Sequence, residues 1–286
     1  MENKNFYITE EDLKGFRRYL QERENSTATI EKYLRDVRKF VQYAGFDTPV
    51  DKGRLLAYKE WLIGSYAVSS VNSMLAALNQ FLIFKEKGVL RLKRVKVQRS
   101  ALCHMEKALE KQEFLKLVRT ARENGHDQIA MIMETMCATG IRVSELKFFS
   151  VESIRAGVVK VCNKGKHRIV LLPELLKKKL LIYIRKQGIR SGVIFRTRTG
   201  REKNRSNIWK EMKKTAEQAG IALQKVFPHN LRHLFARTFY KETKNLLNLA
   251  DILGHSNLEV TRMYASDGIR EWKRNLEKIR LIEIIT

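Results

Sequence analysis

A chain of 286 residues with a formal net charge of +25, 44% hydrophobic residues and only 3 prolines excludes a long disordered or low-complexity protein and fits one large domain or two smaller ones. The excess of Lys and Arg selects polyanionic partners, nucleic acid first and an anionic membrane surface second. Cys103, Cys137 and Cys162 are odd in number and scattered, without CxxC or HExxH, so no disulfide framework, metal centre or other cofactor is expected. The polar, acidic start from Met1 to Glu11 is not a signal peptide, and no apolar run reaches spanning length, which predicts a cytoplasmic protein.

Thr9-Glu10-Glu11-Asp12 reads as a helix start of the capping-box kind, with Leu13, Phe16, Tyr19 and Leu20 following on one face. A second helix starts near Ser26 and carries Ile30, Tyr33, Leu34, Val37, Phe40 and Val41. A third runs from about Asp51 to Ile63, and a fourth from about Ser69 to Lys87. Together they predict a four-helix domain over residues 1–88. From Leu90 to Arg99 apolar and basic residues alternate; the segment is read as part of a basic linker over 89–106 in preference to an edge strand.

A second domain is expected over 107–286, with a tail from about 265. Helices are predicted at Lys111–Glu123 and Asp127–Ala138, then a turn at Thr139-Gly140 and another helix near Val143. Val158–Val161 and Arg168–Leu172 flank a glycine-containing turn and predict a β-hairpin. Further helices are expected at Glu174–Gln187, Asn204–Ala219, His229–Glu242, Leu246–Gly254, Leu258–Tyr264 and Ile269–Lys278. Trp272, Leu276 and Ile279 fall on one face of the last, before an apolar Leu281–Ile285. The fold class is therefore mainly α with a small β-hairpin.

Certain polar residues carry chemistry in combination. Arg142 follows the Thr-Gly turn, where free backbone N–H groups at a helix start would favour an anion. Glu145, three residues on, either orients that guanidinium or makes an ordinary surface ion pair. His229 and Arg232 lie three apart on a helix opened by Pro228 and point the same way; the plain alternative is a capping histidine and an exposed arginine. His255 after Gly254 is a phosphate ligand or a helix cap, and Tyr264 is a nucleophile or a core tyrosine. Cleaving a phosphodiester with a side chain requires a nucleophile, cations on the non-bridging oxygens, a base and an acid for the leaving oxygen. Arginine suits the clamp because its planar fork binds two phosphate oxygens and keeps its charge.

In joint order, Ala-Thr-Gly-Ile-Arg142-Val-Ser-Glu145-Leu, the Lys164 hairpin, His229-x-x-Arg232-His-x-Phe-Ala, Leu-Gly-His255-Ser and Tyr264 resemble the tyrosine recombinase (phage integrase) family over essentially the whole chain. In the first domain, Ser26-Thr27-Ala28-Thr29 with Tyr33, and Val71-Asn72 leading to Phe81, are similar to the family's core-binding, SAM-like helical domain. The resemblance implies a C-shaped clamp of this domain and a mixed α/β catalytic domain around duplex DNA. It implies Tyr264 as nucleophile, forming a 3′-phosphotyrosyl link, with Arg142, Arg232 and His255 on the scissile phosphate. His229 would assist proton transfer, Lys164 would be the general acid, and Glu145 would support the site, without metal or ATP.

The family hairpin often reads Gly-Lys-Gly-x-Lys-x-Arg; Asn163-Lys164-Gly165-Lys166-His167-Arg168 is one residue shorter, which leaves Lys166 as a rival to Lys164. The implied reaction is site-specific recombination through a Holliday junction, serving integration and excision of a mobile element or DNA inversion. The implied partners are double-stranded DNA with inverted core sites and, on it, a homo-tetramer that is a monomer or weak oligomer when free. An accessory directionality factor and an association with the bacterial nucleoid fit the same picture. The tail packs into a neighbouring protomer or docks in cis. No arm-binding domain is read ahead of the first helix. Two rivals stand beside this reading: a type IB topoisomerase and a catalytically silent architectural DNA-binding protein.

Overall fold

A computed structural model describes residues 6–46, 48–96, 108–163, 166–254 and 261. The chain divides into two compact units, Met1–Arg99 and Ser100–Thr286, and it is mainly helical with one small antiparallel sheet.

The first unit packs four helices, α1 (Glu10–Glu22), α2 (Thr27–Ala44), α3 (Lys52–Ser65) and α4 (Val68–Phe84). Their starts are chemically marked. The Thr9 hydroxyl accepts from Asp12 N–H and the Asp12 carboxylate accepts from Thr9 N–H, while Ser26 and Asp51 cap α2 and α3. Asp12 also receives Lys85 Nζ at 2.6 Å, which ties the start of α1 to the end of α4. Phe16, Phe40 and Phe81 are fully buried among Leu34, Leu55, Leu75 and Leu82. Burial of each such side chain stabilises the unit by about 1.5–3 kcal/mol.

Among the described residues, 91–96 form no strand. The segment is fastened to α4 by two asparagines that imitate a pairing strand. Asn79 donates to Leu92 O at 2.9 Å and accepts from Leu92 N–H at 2.8 Å; Asn72 does the same with Val95 at 3.0 and 2.8 Å. Leu92 is thereby buried, whereas Arg91, Lys93 and Arg94 stay exposed.

The second unit is organised around α6 (Asp127–Thr139), which packs against α5 (Lys111–Glu123), α8 (Glu174–Lys186), α9 (Arg205–Gln218) and α10 (Pro228–Thr243). α6 buries Ile129, Ile132, Met133 and Met136. Thr135 and Thr139, also buried, donate to the carbonyls of Met131 and Thr135 at 2.7 and 2.6 Å, so neither hydroxyl is left unpaired. Strands β1 (Val158–Asn163) and β2 (Lys166–Leu171) form the antiparallel pair, with Val161 opposite Arg168 and Asn163 opposite Lys166. They run further toward the turn than the apolar pattern indicated, leaving only Lys164 and Gly165, outside the described residues, between them. α11 (Leu246–Leu253), capped by Asn245, follows α10.

The helix expected near Val143 is a correction. Val143–Phe148 is a 3-10 turn, and the α-helix begins later as α7 (Val151–Ala156), capped by Ser150. The cause is Glu145, whose carboxylate returns to Arg142 N–H and closes a tight turn. The helices expected at Leu258–Tyr264 and Ile269–Lys278 lie outside the described residues, apart from buried Thr261. No helix among the described residues is long and apolar enough to cross a membrane.

Candidate phosphate pocket

The end of α6, the turn that follows it and the start of α10 contribute to the pocket. α6 ends at Gly140, which has φ +64°. A Cβ there would also stand 2.4 Å from the Phe235 ring, so both backbone angle and space require glycine. The chain then turns out through Ile141 to Arg142, whose backbone is extended. Glu145 is 1% exposed. Its carboxylate accepts Arg142 N–H at 2.8 Å and faces the Arg142 guanidinium at 3.2 Å. A surface ion pair is therefore excluded, because the anion sits inside the protein and its cation leans out of it. Of the N–H groups expected to be free beside Arg142, that of Arg142 itself is occupied by the protein's own carboxylate.

α10 starts with Pro228 at its first turn, where a missing N–H costs nothing. It delivers His229 and Arg232 to the same cavity as Arg142. That cavity, about 740 Å³, is lined further by Ser144, Arg205, Trp209 and Lys210. Arg232 is buried rather than exposed, at 1%. Its guanidinium donates to Gly140 O and to Leu253 O, each at 2.7 Å. It thus holds the C-terminal carbonyls of α6 and α11 together below the cavity. The His229 ring stands edge-on to His233, 4.4 Å between centroids.

Burial, then the neighbouring Arg232 and Arg142 charges, hold the His229 pKa below the ordinary 6.5. At neutral pH the imidazole is therefore uncharged and able to accept a proton. In the free protein an NMR titration is expected to place its midpoint below that of an exposed histidine. Adding an anion to the pocket should move the midpoint up, because negative charge offsets the two guanidinium groups. A midpoint at or above 6.5 in the free protein would contradict this account.

Sequence reasoning missed two features. Arg205, Trp209 and Lys210 come from the first turns of α9; their only signal was a basic residue following the Asn204 cap. Arg168, on β2, donates to Glu145 at 2.6 Å and to Ile252 O at 2.7 Å, and burial lowers its pKa from the usual arginine value. Of the residues named from sequence, Arg142, Glu145, His229 and Arg232 are brought together. Lys164, His255 and Tyr264 lie outside the described residues. Cys162 Sγ stands 3.6 Å from His167 Nε2 across the hairpin, and no group of three metal-ligating side chains occurs among the described residues.

Comparison with known proteins gives a consistent result. Residues 107–268 match the phage integrase family, and residues 13–87 match the phage integrase N-terminal SAM-like domain. The chain is 29% identical over 282 residues to tyrosine recombinase XerA of Thermococcus kodakarensis, covering 96% of both proteins. It is 36% identical over 168 residues to XerD of Staphylococcus saprophyticus, covering 54% of this chain and 56% of that protein. Among solved structures, XerH recombinase in a post-cleavage complex with palindromic difH substrate superposes with a TM-score of 0.74 at 16% identity, covering 97% of this chain and 91% of that one. A lambda integrase dimer on a COC′ core site does so with 0.73 at 20% identity, covering 97% and 99%.

Proposed function

The chain belongs to the phage integrase family and is a tyrosine recombinase, and from that premise we propose that Tyr264 is the nucleophile that cuts and rejoins duplex DNA. The Tyr264 hydroxyl attacks the scissile phosphorus, and the bond from phosphorus to the 5′-oxygen breaks. A 3′-phosphotyrosyl link forms and a 5′-hydroxyl is freed. Arg142, Arg232 and His255 hold the non-bridging oxygens as charge builds on them. His229 takes up the phenol proton, and Lys164 gives one to the departing oxygen. The broken bond's energy stays in the phosphotyrosyl ester, so a partner strand's 5′-hydroxyl reverses the step without ATP.

The observation that carries this reading is the meeting of Arg142, His229 and Arg232 on one cavity, two permanent cations beside an imidazole that is neutral at neutral pH. Four copies on paired inverted core sites exchange strands through a Holliday junction. They serve integration and excision of a mobile element or inversion of a segment, with a directionality factor biasing the outcome. The work takes place on nucleoid DNA in the cytoplasm, and the tail from about 265 links neighbouring protomers.

The test starts from duplexes selected by binding out of a randomised pool and then nicked beside the cut position, so that religation is lost. A denaturant-resistant protein–DNA adduct is expected to carry the label of the fragment 5′ to the cut, which is joined to the protein through its 3′ end. Tight binding to such a selected site with no adduct from the wild-type chain would make the protein a DNA binder without strand chemistry.

A further inference from the structure

Arg168 joins three segments that sequence separates. It stands on β2, four residues after Lys164 and two after Lys166. Its Nη2 reaches buried Glu145 at 2.6 Å, the same carboxylate that holds the Arg142 backbone and guanidinium. Its Nη1 reaches the carbonyl of Ile252, three residues before His255, at 2.7 Å. The fit beneath α11 is close: Gly254 has φ +64°, and a Cβ there would lie 2.7 Å from Arg168 Cδ.

The outer side of the hairpin is exposed at His167, Ile169 and Leu171, whereas Val159, Val161 and Val170 bury its inner side in the core. Also on the inner side, Arg168 ties two segments at once, with one nitrogen on the Glu145 carboxylate and the other on the Ile252 carbonyl, which a single ammonium cannot reproduce in the same geometry. A leaving-group acid must sit within hydrogen-bond reach of the departing oxygen, and displacement by about 1 Å costs on the order of 10²-fold in rate.

We propose that Arg168 is a positioning residue for proton delivery to the leaving oxygen: through Glu145 and the Ile252 carbonyl it fixes the acid-bearing hairpin against the phosphate pocket. This rests on the reading that a lysine of the hairpin is the general acid.

The test compares cleavage of ordinary DNA with cleavage of DNA bearing sulphur in place of the bridging 5′-oxygen. In the sulphur substrate the tyrosine oxygen–phosphorus bond forms and the phosphorus–sulphur bond breaks. The thiolate departs as a stable anion and needs no proton. Each variant is read as its ratio of sulphur to oxygen rates, which is independent of the fraction of protein that is folded. For Arg168→Ala the ratio is expected to rise over wild type by about 10²-fold, and Arg168→Lys should show a smaller rise in the same direction. The double variant Arg168→Ala with Lys164→Ala should be no slower on ordinary DNA than Lys164→Ala alone, as for residues that act as one unit.

An unchanged ratio in both Arg168 variants overturns the proposal, whether the oxygen rate is intact or both rates fall together; in the second case Arg168 serves the phosphate clamp. Lys164→Ala and Lys166→Ala tested alone separate this from the underlying reading. If neither is rescued by sulphur, the hairpin carries no general acid and that reading fails by itself. If one is rescued and the Arg168 variants are not, the Arg168 inference alone fails.

Discussion

Tyr264→Phe is expected to bind its DNA site with unchanged affinity while forming no covalent adduct, with strand cleavage lowered by on the order of 10⁴-fold or more. The substitution removes one oxygen and keeps the ring, so the basic surface that supplies affinity for phosphates is untouched. Water attack would release a free 3′-phosphate instead of a protein-linked strand, and the two products separate on a denaturing gel. Supplying the variant with wild-type protein gives a second readout. If neighbouring protomers each donate their own tyrosine, mixed assemblies on a two-site substrate should cut in proportion to the wild-type subunits present. A phenylalanine variant that still becomes attached to the 3′ end would remove Tyr264 from the mechanism and shift attention to another nucleophile in the same unit.

How far the sequence could be read depends on the separation of interacting residues. Helical faces repeat every three or four residues, so Leu13, Phe16 and Leu20, or Ile30, Leu34, Val37 and Phe40, announce their burial directly. Arg142 and Glu145 were paired correctly for the same reason, being three apart. The burial of Glu145 was not legible, because the same spacing describes a solvated surface pair. Val143 and Leu146 are likewise spaced alike in an α-helix and a 3-10 turn, and only the return of Glu145 to Arg142 N–H decides between them.

Arg168 was invisible as a partner because its bonds span 23 and 84 residues, and no local periodicity records such a contact. The family hairpin pattern, with an arginine after its second lysine, was the one signal available for it. The contribution of α9 to the pocket was missed on similar grounds: nothing in the local pattern of the Asn204–Ala219 helix tells that Trp209 and Lys210 line the same cavity as His229 and Arg232.

The two arginines of the pocket should respond differently to substitution, and the difference tests how the clamp is built. Arg142 is 39% exposed and paired with Glu145 at 3.2 Å. Arg142→Ala should lower cleavage by on the order of 10²–10³-fold, the usual loss when one transition-state donor is removed. Its effect on stability should be smaller than that of the Arg232 variant, because the Arg142 side chain is partly solvated and buried Glu145 keeps its bond to Arg168. Arg232 is already committed to the fold. Its two amino groups satisfy Gly140 O and Leu253 O, and in Arg232→Ala both buried carbonyls lose a charged donor. That should cost about 2–5 kcal/mol, which for a unit of this size lowers the melting temperature by about 2–4 °C per kcal/mol. Cleavage should fall at least as far as in the Arg142 variant.

Arg232→Lys separates the two roles. One ammonium cannot span both carbonyls and still present a planar fork to phosphate, so part of the melting temperature returns while single-turnover cleavage at saturating protein stays low. Full recovery of cleavage in the lysine variant would mean that charge alone is needed at this position. Equal melting losses for Arg142→Ala and Arg232→Ala would contradict the division between a clamp arm held at the surface and one anchored to two helix ends. That division has a mechanistic use. On the proposed reading the buried arm would be oriented before DNA arrives, and the cost of reorganisation at cleavage would fall on Arg142, whose partner Glu145 is shared with Arg168.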